Sequence, residues 1–378
     1  MDTLEKVEIL GRSAQYDLCG EACGTEANRK RDDLGRWIYP AVLPDGRRVA
    51  LLKVLLTNAC EGDCAYCANR RGRDVRRVSF TPDELAHTFE GMWRRGQVEG
   101  LFLSSGVCGR SGQAMDRMIA TVEIIRQRIA FPGYVHLKIL PGATQAHVER
   151  AMQLANRVSV NLEAPNPARL ARIAPGKDFT TALMEPMHWV QRLREESGGR
   201  LAPAGQTTQF VVGAAGEPDR EILATADLLY RQVDLTRAYF SAFQPVPDTP
   251  LEGHQPTPLW REHRLYQSDW LLRKYGFAFE ELVFDEEGNL PRQADPKLMW
   301  ATAHPERFPV EVNRASQDEL LRIPGIGPRS AARIVRLRKR GKFRELSDLR
   351  AVGALPQRAA PFVLLDGRRP PYQLPLWE

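Results

Sequence analysis

Apolar and polar positions along this chain repeat with two periods, and the period switches back and forth between residues 49 and 243. The run VALLKVLLTN (49–58) is almost wholly apolar and of strand length, so it predicts a buried strand. TPDELAHTFEGMWRRG follows with helical spacing, opened by Thr81 as N-cap and Glu84 three residues later as a capping box. Further strands are predicted at 100–105, 134–140, 157–163, 207–213 and 237–243. Helical patterns over 115–129, 144–155, 180–195 and 219–233 separate them. Six strands with helices between them imply a parallel sheet covered by helices on one side. Polar residues at period two, such as Ser159, Asn161 and Glu163, suit a barrel lined by ligand groups better than a fully packed sheet. The fold class predicted is therefore α/β, a partial (β/α)6 TIM-like barrel, with function expected at the C-terminal ends of its strands.

Residues 1–48 show no clear periodicity. The expected organisation is an N-terminal extension (1–45), the barrel (46–255), a helical connector (256–308), a small all-α domain (309–367) and a tail (368–378). The proline-rich stretch QPVPDTPLEGHQPTP closes the barrel, and REHRLYQSDWLLRKYGF (261–277) predicts the connector helix.

Composition narrows the class. The chain is 43% hydrophobic and 26% charged, ordinary for a globular protein, with no apolar run of membrane length and no leader-like N-terminus. A cytoplasmic location is expected, without a membrane partner. The net charge of +6 is uneven: residues 311–369 carry 14 Lys+Arg against 6 Asp+Glu, so the rest of the chain is slightly acidic. That basic segment points to a polyanion.

Chemistry concentrates in CEGDCAYC, where Cys60, Cys64 and Cys67 fall just past the first predicted strand. Thiols this close do not staple distant segments; in a reducing compartment they bind metal or do redox work. Three thiolates can hold three corners of a [4Fe–4S] cube and leave one iron open. Zinc, recruiting Cys19 and Cys23, is the alternative, although no second CxxC pair exists. Cys108 reads as an ordinary buried thiol, and Cys19 and Cys23 stay unassigned. Arg70, Arg71, Arg73, Arg76 and Arg77 after the cluster either line an approach or form a solvated loop.

The motif resembles the signature of the radical SAM superfamily, aromatic Tyr66 before the third cysteine included, and the resemblance extends over roughly 46–255. It implies a [4Fe–4S] cluster on Cys60, Cys64 and Cys67, reductive cleavage of S-adenosylmethionine to a 5′-deoxyadenosyl radical, and an external reductant such as flavodoxin or ferredoxin. It implies cofactor contacts at Tyr66, at the turn Ser104, Ser105 and Gly106, at Asn161 and Glu163, and at Val212 and Gly213. The turn SSGV departs from the Gly-Gly-Glu form common there. Lys138 reads either as a contact to a substrate anion or as the ion-pair partner of Glu163. The catalytic residues themselves are not assigned.

In the last segment Ser316 and Glu319 form a capping box, Pro324-Gly325-Ile326-Gly327 turns, and Pro328 suits the first position of the next helix. Such a turn aims backbone amides outward as a phosphate cradle, with Arg329 and Arg333 around it. The segment resembles the helix-hairpin-helix module of DNA repair proteins, with a second, degenerate hairpin after it; a small domain for protein contacts is the alternative. Gly325, Ile326, Gly327, Arg329 and Arg333 are the nucleic-acid contacts this resemblance implies. Together the two parts resemble putative DNA modification or repair radical SAM proteins. DNA is the partner expected; an RNA-modifying enzyme, or a DNA-binding protein with a structural or sensory cluster, are the alternatives.

Overall fold

The computed structural model describes residues 2–14, 38–42, 48–109 and 112–372. Cys19 and Cys23, most of the N-terminal extension and the end of the tail lie outside the described residues. The chain forms two compact units, residues 1–217 with 228–258, and residues 218–227 with 259–378.

The first unit is built on a curled sheet of seven strands in sequence order, β1 (Ile38–Val42), β2 (Arg48–Leu55), β3 (Gly100–Ser104), β4 (Tyr134–Lys138), β5 (Arg157–Ser159), β6 (Gln206–Val212) and β7 (Leu235–Ala242). From β2 to β7 all pairs are parallel, which the intervening helices require. The predicted partial barrel is therefore present, with one strand more than expected. That strand, β1, pairs antiparallel with β2 from within the segment that showed no periodicity.

Helix α1 (Thr3–Ser13) likewise went unpredicted, because its apolar face is only Val7 and Leu10. Helices α2 (Pro82–Arg94), α3 (Gln113–Glu123), α4 (Gln145–Leu154), α5 (Pro167–Ile173), α6 (Glu185–Glu196) and α7 (Asp219–Gln232) follow the strands. The capping box on α2 forms as read: the Thr81 hydroxyl accepts the Glu84 amide and the Glu84 carboxylate accepts the Thr81 amide.

Three buried polar side chains share one face of the sheet with Phe102. Lys53, Phe102, His136 and Arg157 are in register across β2–β5, and all four are buried. The Phe102 and His136 rings meet edge to face at 4.6 Å. Burial, then the charges of Arg157, Lys138 and Lys53, hold His136 well below the ordinary histidine range.

In the second unit, α8 (Leu259–Lys274) and α9 (Pro296–Ala303) precede four short helices, α10 (Gln317–Arg322), α11 (Pro328–Leu337), α12 (Leu346–Ala351) and α13 (Pro356–Ala359). A two-residue parallel pair, β8 (Val310–Glu311) with β9 (Val363–Leu364), joins the segment before α10 to the segment after α13. Among the described residues no helix is long and apolar enough to cross a membrane.

Candidate functional sites

The chain leaving β2 is zipped at its neck before it carries the cysteines. Asn58 exchanges backbone and side-chain bonds with Val78, and the Phe80 amide donates to the Leu56 carbonyl at 2.9 Å. Inside this closed loop Arg77 donates to four carbonyls, Asn58 at 2.7 Å, Asn69 at 2.8 Å, Arg70 at 2.7 Å and Arg73 at 3.0 Å. Of the arginines after the cluster, Arg77 is thus a clamp on the loop itself. Arg73 also turns inward, to the Ala68 and Pro247 carbonyls. Arg76 pairs with Glu5 at the surface, and Arg71 sits exposed on the wall of the cavity described next.

Cys60, Cys64 and Cys67 line one wall of a cavity of about 540 Å³ at the C-terminal ends of the strands. The Gly62 amide donates to the Cys60 sulfur at 3.3 Å and the Asn69 amide to the Cys67 sulfur at 3.4 Å. Burial, then the Cys64 thiol, push Cys67 up to about 12. A Cβ on Gly62 would lie 3.2 Å from the Cys60 sulfur and 3.9 Å from that of Cys64. Among the described residues no three His, Cys, Asp or Glu side chains converge as ligands of a single metal ion do. A [4Fe–4S] cluster fits the donor set: soft thiolates, two of them receiving backbone amides, beside a cavity with room for a further ligand.

The turn after β3 packs directly on this loop. The Gly106 amide donates to the Thr57 carbonyl at 2.7 Å, and a Cβ there would stand 2.5 Å from the Ala59 carbonyl and 3.1 Å from Cys60 Cβ. Only glycine permits that approach. Ser104 and Ser105 are buried and line the cavity, and the Ser105 hydroxyl donates to the Gly106 carbonyl.

Opposite them the chain continues past β5 along β6 in an irregular path that ends at Glu163, in the left-handed region at φ 64°. That conformation is costly for a residue with a side chain, and such strain gathers at functional sites. Asn161 and Glu163 both line the cavity. The partner of Glu163 is Lys177, at 3.2 Å, rather than Lys138, and the same ammonium lies 3.4 Å from the Tyr66 hydroxyl. Burial disfavours the Lys177 ammonium, yet the Cys64 thiol and Glu163 outweigh it and raise the group. Burial, then Glu163 and Cys64, raise the Tyr66 phenol. Lys177 arrives on the loop after α5, where the Ala65 amide donates to the Ile173 carbonyl at 2.7 Å.

Val212 and Gly213 sit apart from these residues. Val211, not Val212, lines the cavity, and the Gly213 amide is held by the Glu217 carboxylate. Gln209, Ser241 and Gln244 complete the wall and were not singled out from sequence. Their signal was available, since Gln209 and Ser241 continue the period-two polar pattern on β6 and β7. Lys138 also lines the cavity, whereas Cys108, half-buried, is raised by burial and is not on its wall.

In the second unit the capping box of α10 forms, with the Ser316 hydroxyl accepting the Glu319 amide. Gly325 turns at φ 84°, and a Cβ there would meet the Leu355 carbonyl at 2.6 Å. Gly353, in the second hairpin, has the same φ of 84°, and the Leu355 amide donates to the Gly325 carbonyl, so the two turns interlock. Ile326 is 1% exposed and belongs to the core with Leu320, Ile334 and Leu349. Arg329 is exposed, while Arg333 donates to the Val352 carbonyl at 3.2 Å.

A model of the radical SAM superfamily matches residues 54–229, and one of the helix-hairpin-helix motif matches residues 307–360. Among solved structures, the FeFe-hydrogenase maturase HydG from Carboxydothermus hydrogenoformans is 17% identical with a TM-score of 0.44, covering 58% of this chain and 50% of that one. A second HydG structure, 12% identical with a TM-score of 0.46, covers 58% and 48%. Methylornithine synthase PylB is 15% identical with a TM-score of 0.43, covering 58% and 60%. The chain thus spans about half the length of the HydG chains it matches. No curated protein matches it. Members of the radical SAM superfamily use a [4Fe–4S] cluster and S-adenosylmethionine; residues 54–229 of this chain match the model of that superfamily, ahead of a segment that matches the helix-hairpin-helix motif.

Proposed function

We propose that the chain cleaves S-adenosylmethionine reductively and uses the product on a base or sugar of DNA. The observation that carries this reading is the gathering of Cys60, Cys64, Cys67, Tyr66, Glu163 and the Ser104–Gly106 turn on one cavity, in a chain that also holds a helix-hairpin-helix motif. When bound, the cluster and S-adenosylmethionine supply an electron and a 5′-deoxyadenosyl radical. Cys60, Cys64 and Cys67 would hold the cluster through their thiolates. Ser104, Ser105 and Gly106 would meet the methionyl end of S-adenosylmethionine, Asn161 and Glu163 its ribose, and Tyr66 its adenine, with Val212 and Gly213 shaping the sheet behind. Lys177 holds the Glu163 carboxylate in place through their ion pair. An external reductant such as flavodoxin or ferredoxin delivers the electron. Gly325, Gly327, Arg329 and Arg333 form the phosphate-facing side of the hairpins, and Ile326 sets the turn from within the core.

Anaerobic reconstitution with dithionite and S-adenosylmethionine tests the first half: 5′-deoxyadenosine forms from the loaded protein. A fully loaded cluster that yields none sinks it. Stimulation by duplex DNA over RNA, and a mass change in DNA nucleosides, test the second half. Preferential stimulation by RNA overturns the DNA assignment.

A further inference from the structure

The helix-hairpin-helix motif begins at residue 307, yet its turn is held by side chains that precede it. Lys297, on α9, is 7% exposed, and its ammonium donates to the Ile326 carbonyl at 2.6 Å. The same ammonium lies 4.7 Å from the centre of the Tyr275 ring, and the Tyr275 hydroxyl stands 3.3 Å from where a Cβ on Gly327 would be. No carboxylate pairs with Lys297 among the described residues. Asp295 accepts its backbone amide and pairs with Arg358, while Glu281 pairs with Arg322. Arg322 is the other cation facing it, its guanidinium 3.8 Å over the Phe277 ring and 5.1 Å from that of Trp300.

A buried, unpaired ammonium is costly, so its survival behind a surface turn calls for a reason. The peptide unit explains it. The carbonyl that Lys297 grips and the Gly327 amide belong to the same peptide group. An ammonium on the oxygen draws electron density from the nitrogen and makes that N–H a stronger donor. Gly327 is the N-cap of α11, and the first amides of a helix have no partner within it. The carbonyls around the turn are already engaged: Gly325 by the Leu355 amide, Gly327 by the Ala331 amide and Ile326 by Lys297. What the turn offers outward is therefore donors, beside Arg329.

We infer that Lys297 is a positioning residue of the nucleic-acid interface, an internal cation that fixes the Pro324–Pro328 turn and strengthens its Gly327 amide toward a backbone phosphate. The inference rests on the nucleic-acid reading above. Burial, and Arg322 beside it, draw Lys297 down to about 7, so the ammonium titrates near neutrality and the grip on phosphate weakens as pH rises through that range.

The test uses the reconstituted full chain and a fluorescein-labelled DNA duplex, with anisotropy read at constant ionic strength between about pH 6 and about pH 8.5. The wild type loses about fivefold in affinity across that range, a fraction of one charge-assisted hydrogen bond, because the charge acts on phosphate only through the peptide group. Lys297→Met binds about fivefold more weakly at the acid end and is flat with pH. In the wild type the Gly327 amide proton resonance shifts with the same midpoint, and Lys297→Met abolishes the shift. A Gly327 resonance that stays fixed across the range in the wild type overturns the inference even if the variant fails to fold. So does a variant that keeps the wild-type slope. A wild type that binds neither DNA nor RNA removes the nucleic-acid reading itself, an outcome distinct from both.

Discussion

Replacing Arg77 with lysine keeps the charge and removes the fork. The guanidinium reaches four carbonyls in the cysteine loop, three of them within 2.8 Å, from a half-buried position. A hydrogen bond from a charged donor contributes about 1.5–3 kcal/mol net, and loop carbonyls that rehydrate recover part of it. A lysine ammonium can satisfy one or two of these carbonyls, so Arg77→Lys should cost about 2–3 kcal/mol of loop stability. That corresponds to an open loop populated about 30- to 150-fold more often. Hydrogen exchange of the amides between Asn58 and Val78 measures the opening directly, and iron and sulfide per chain after anaerobic reconstitution measure its effect on the thiols. Exchange should quicken and iron content fall in Arg77→Lys, and both should change further in Arg77→Met, with the hairpin unit untouched. Unchanged exchange and full iron uptake in Arg77→Met would refute the clamp.

Gly106→Ala should loosen the contact between the turn after β3 and the cysteine loop, because its Cβ meets the Ala59 carbonyl at 2.5 Å. A loss of about 1–3 kcal/mol in thermal unfolding, with reduced iron uptake, is expected; wild-type behaviour in both counts against the close approach. Lys177→Met leaves Glu163 buried without its partner and should destabilise the first unit by about 3–5 kcal/mol, which Lys177→Met with Glu163→Gln largely restores. Failure of the double variant to recover in denaturant titration contradicts the pairing. His136 is held below its unfolded value, so between that folded value and about pH 6.5 the unfolded chain binds the extra proton and stability rises with pH. Acidifying below about pH 6.5 should therefore cost up to about 1.4 kcal/mol per pH unit from this group, and His136→Gln should flatten that slope.

What the sequence disclosed and what it hid divide along locality. The cysteine spacing, the capping boxes at Thr81 and Ser316 and the strand runs are local patterns, and all but the strand read at 157–163, which is regular only over Arg157–Ser159, lie where they were read. Lys177 was hidden because its partner Glu163 is brought to it by the path from α5 back over the cysteine loop, which no periodicity encodes. Lys138, on the strand next to Glu163, was the plausible partner from pattern alone. The role of Arg77 was hidden for a related reason: its acceptors are carbonyls, and a sequence does not show where carbonyls point. Strand β1 escaped because, among the described residues, it pairs with β2 alone at the sheet edge, where alternation is weakest. The short regular span of β5 reflects the left-handed turn at Glu163, which an apolar strand pattern cannot foretell.

The zipped neck between Asn58 and Val78 also bears on the order of assembly. In small metal-nucleated domains the unfolded chain must be organised by the ion, and much of the binding free energy is spent on folding. Here the protein brings its own scaffold to the thiols, through Arg77, Asn58 and the packed turn at Gly106. Iron affinity would then be set by this scaffold rather than diluted by the entropy of making it.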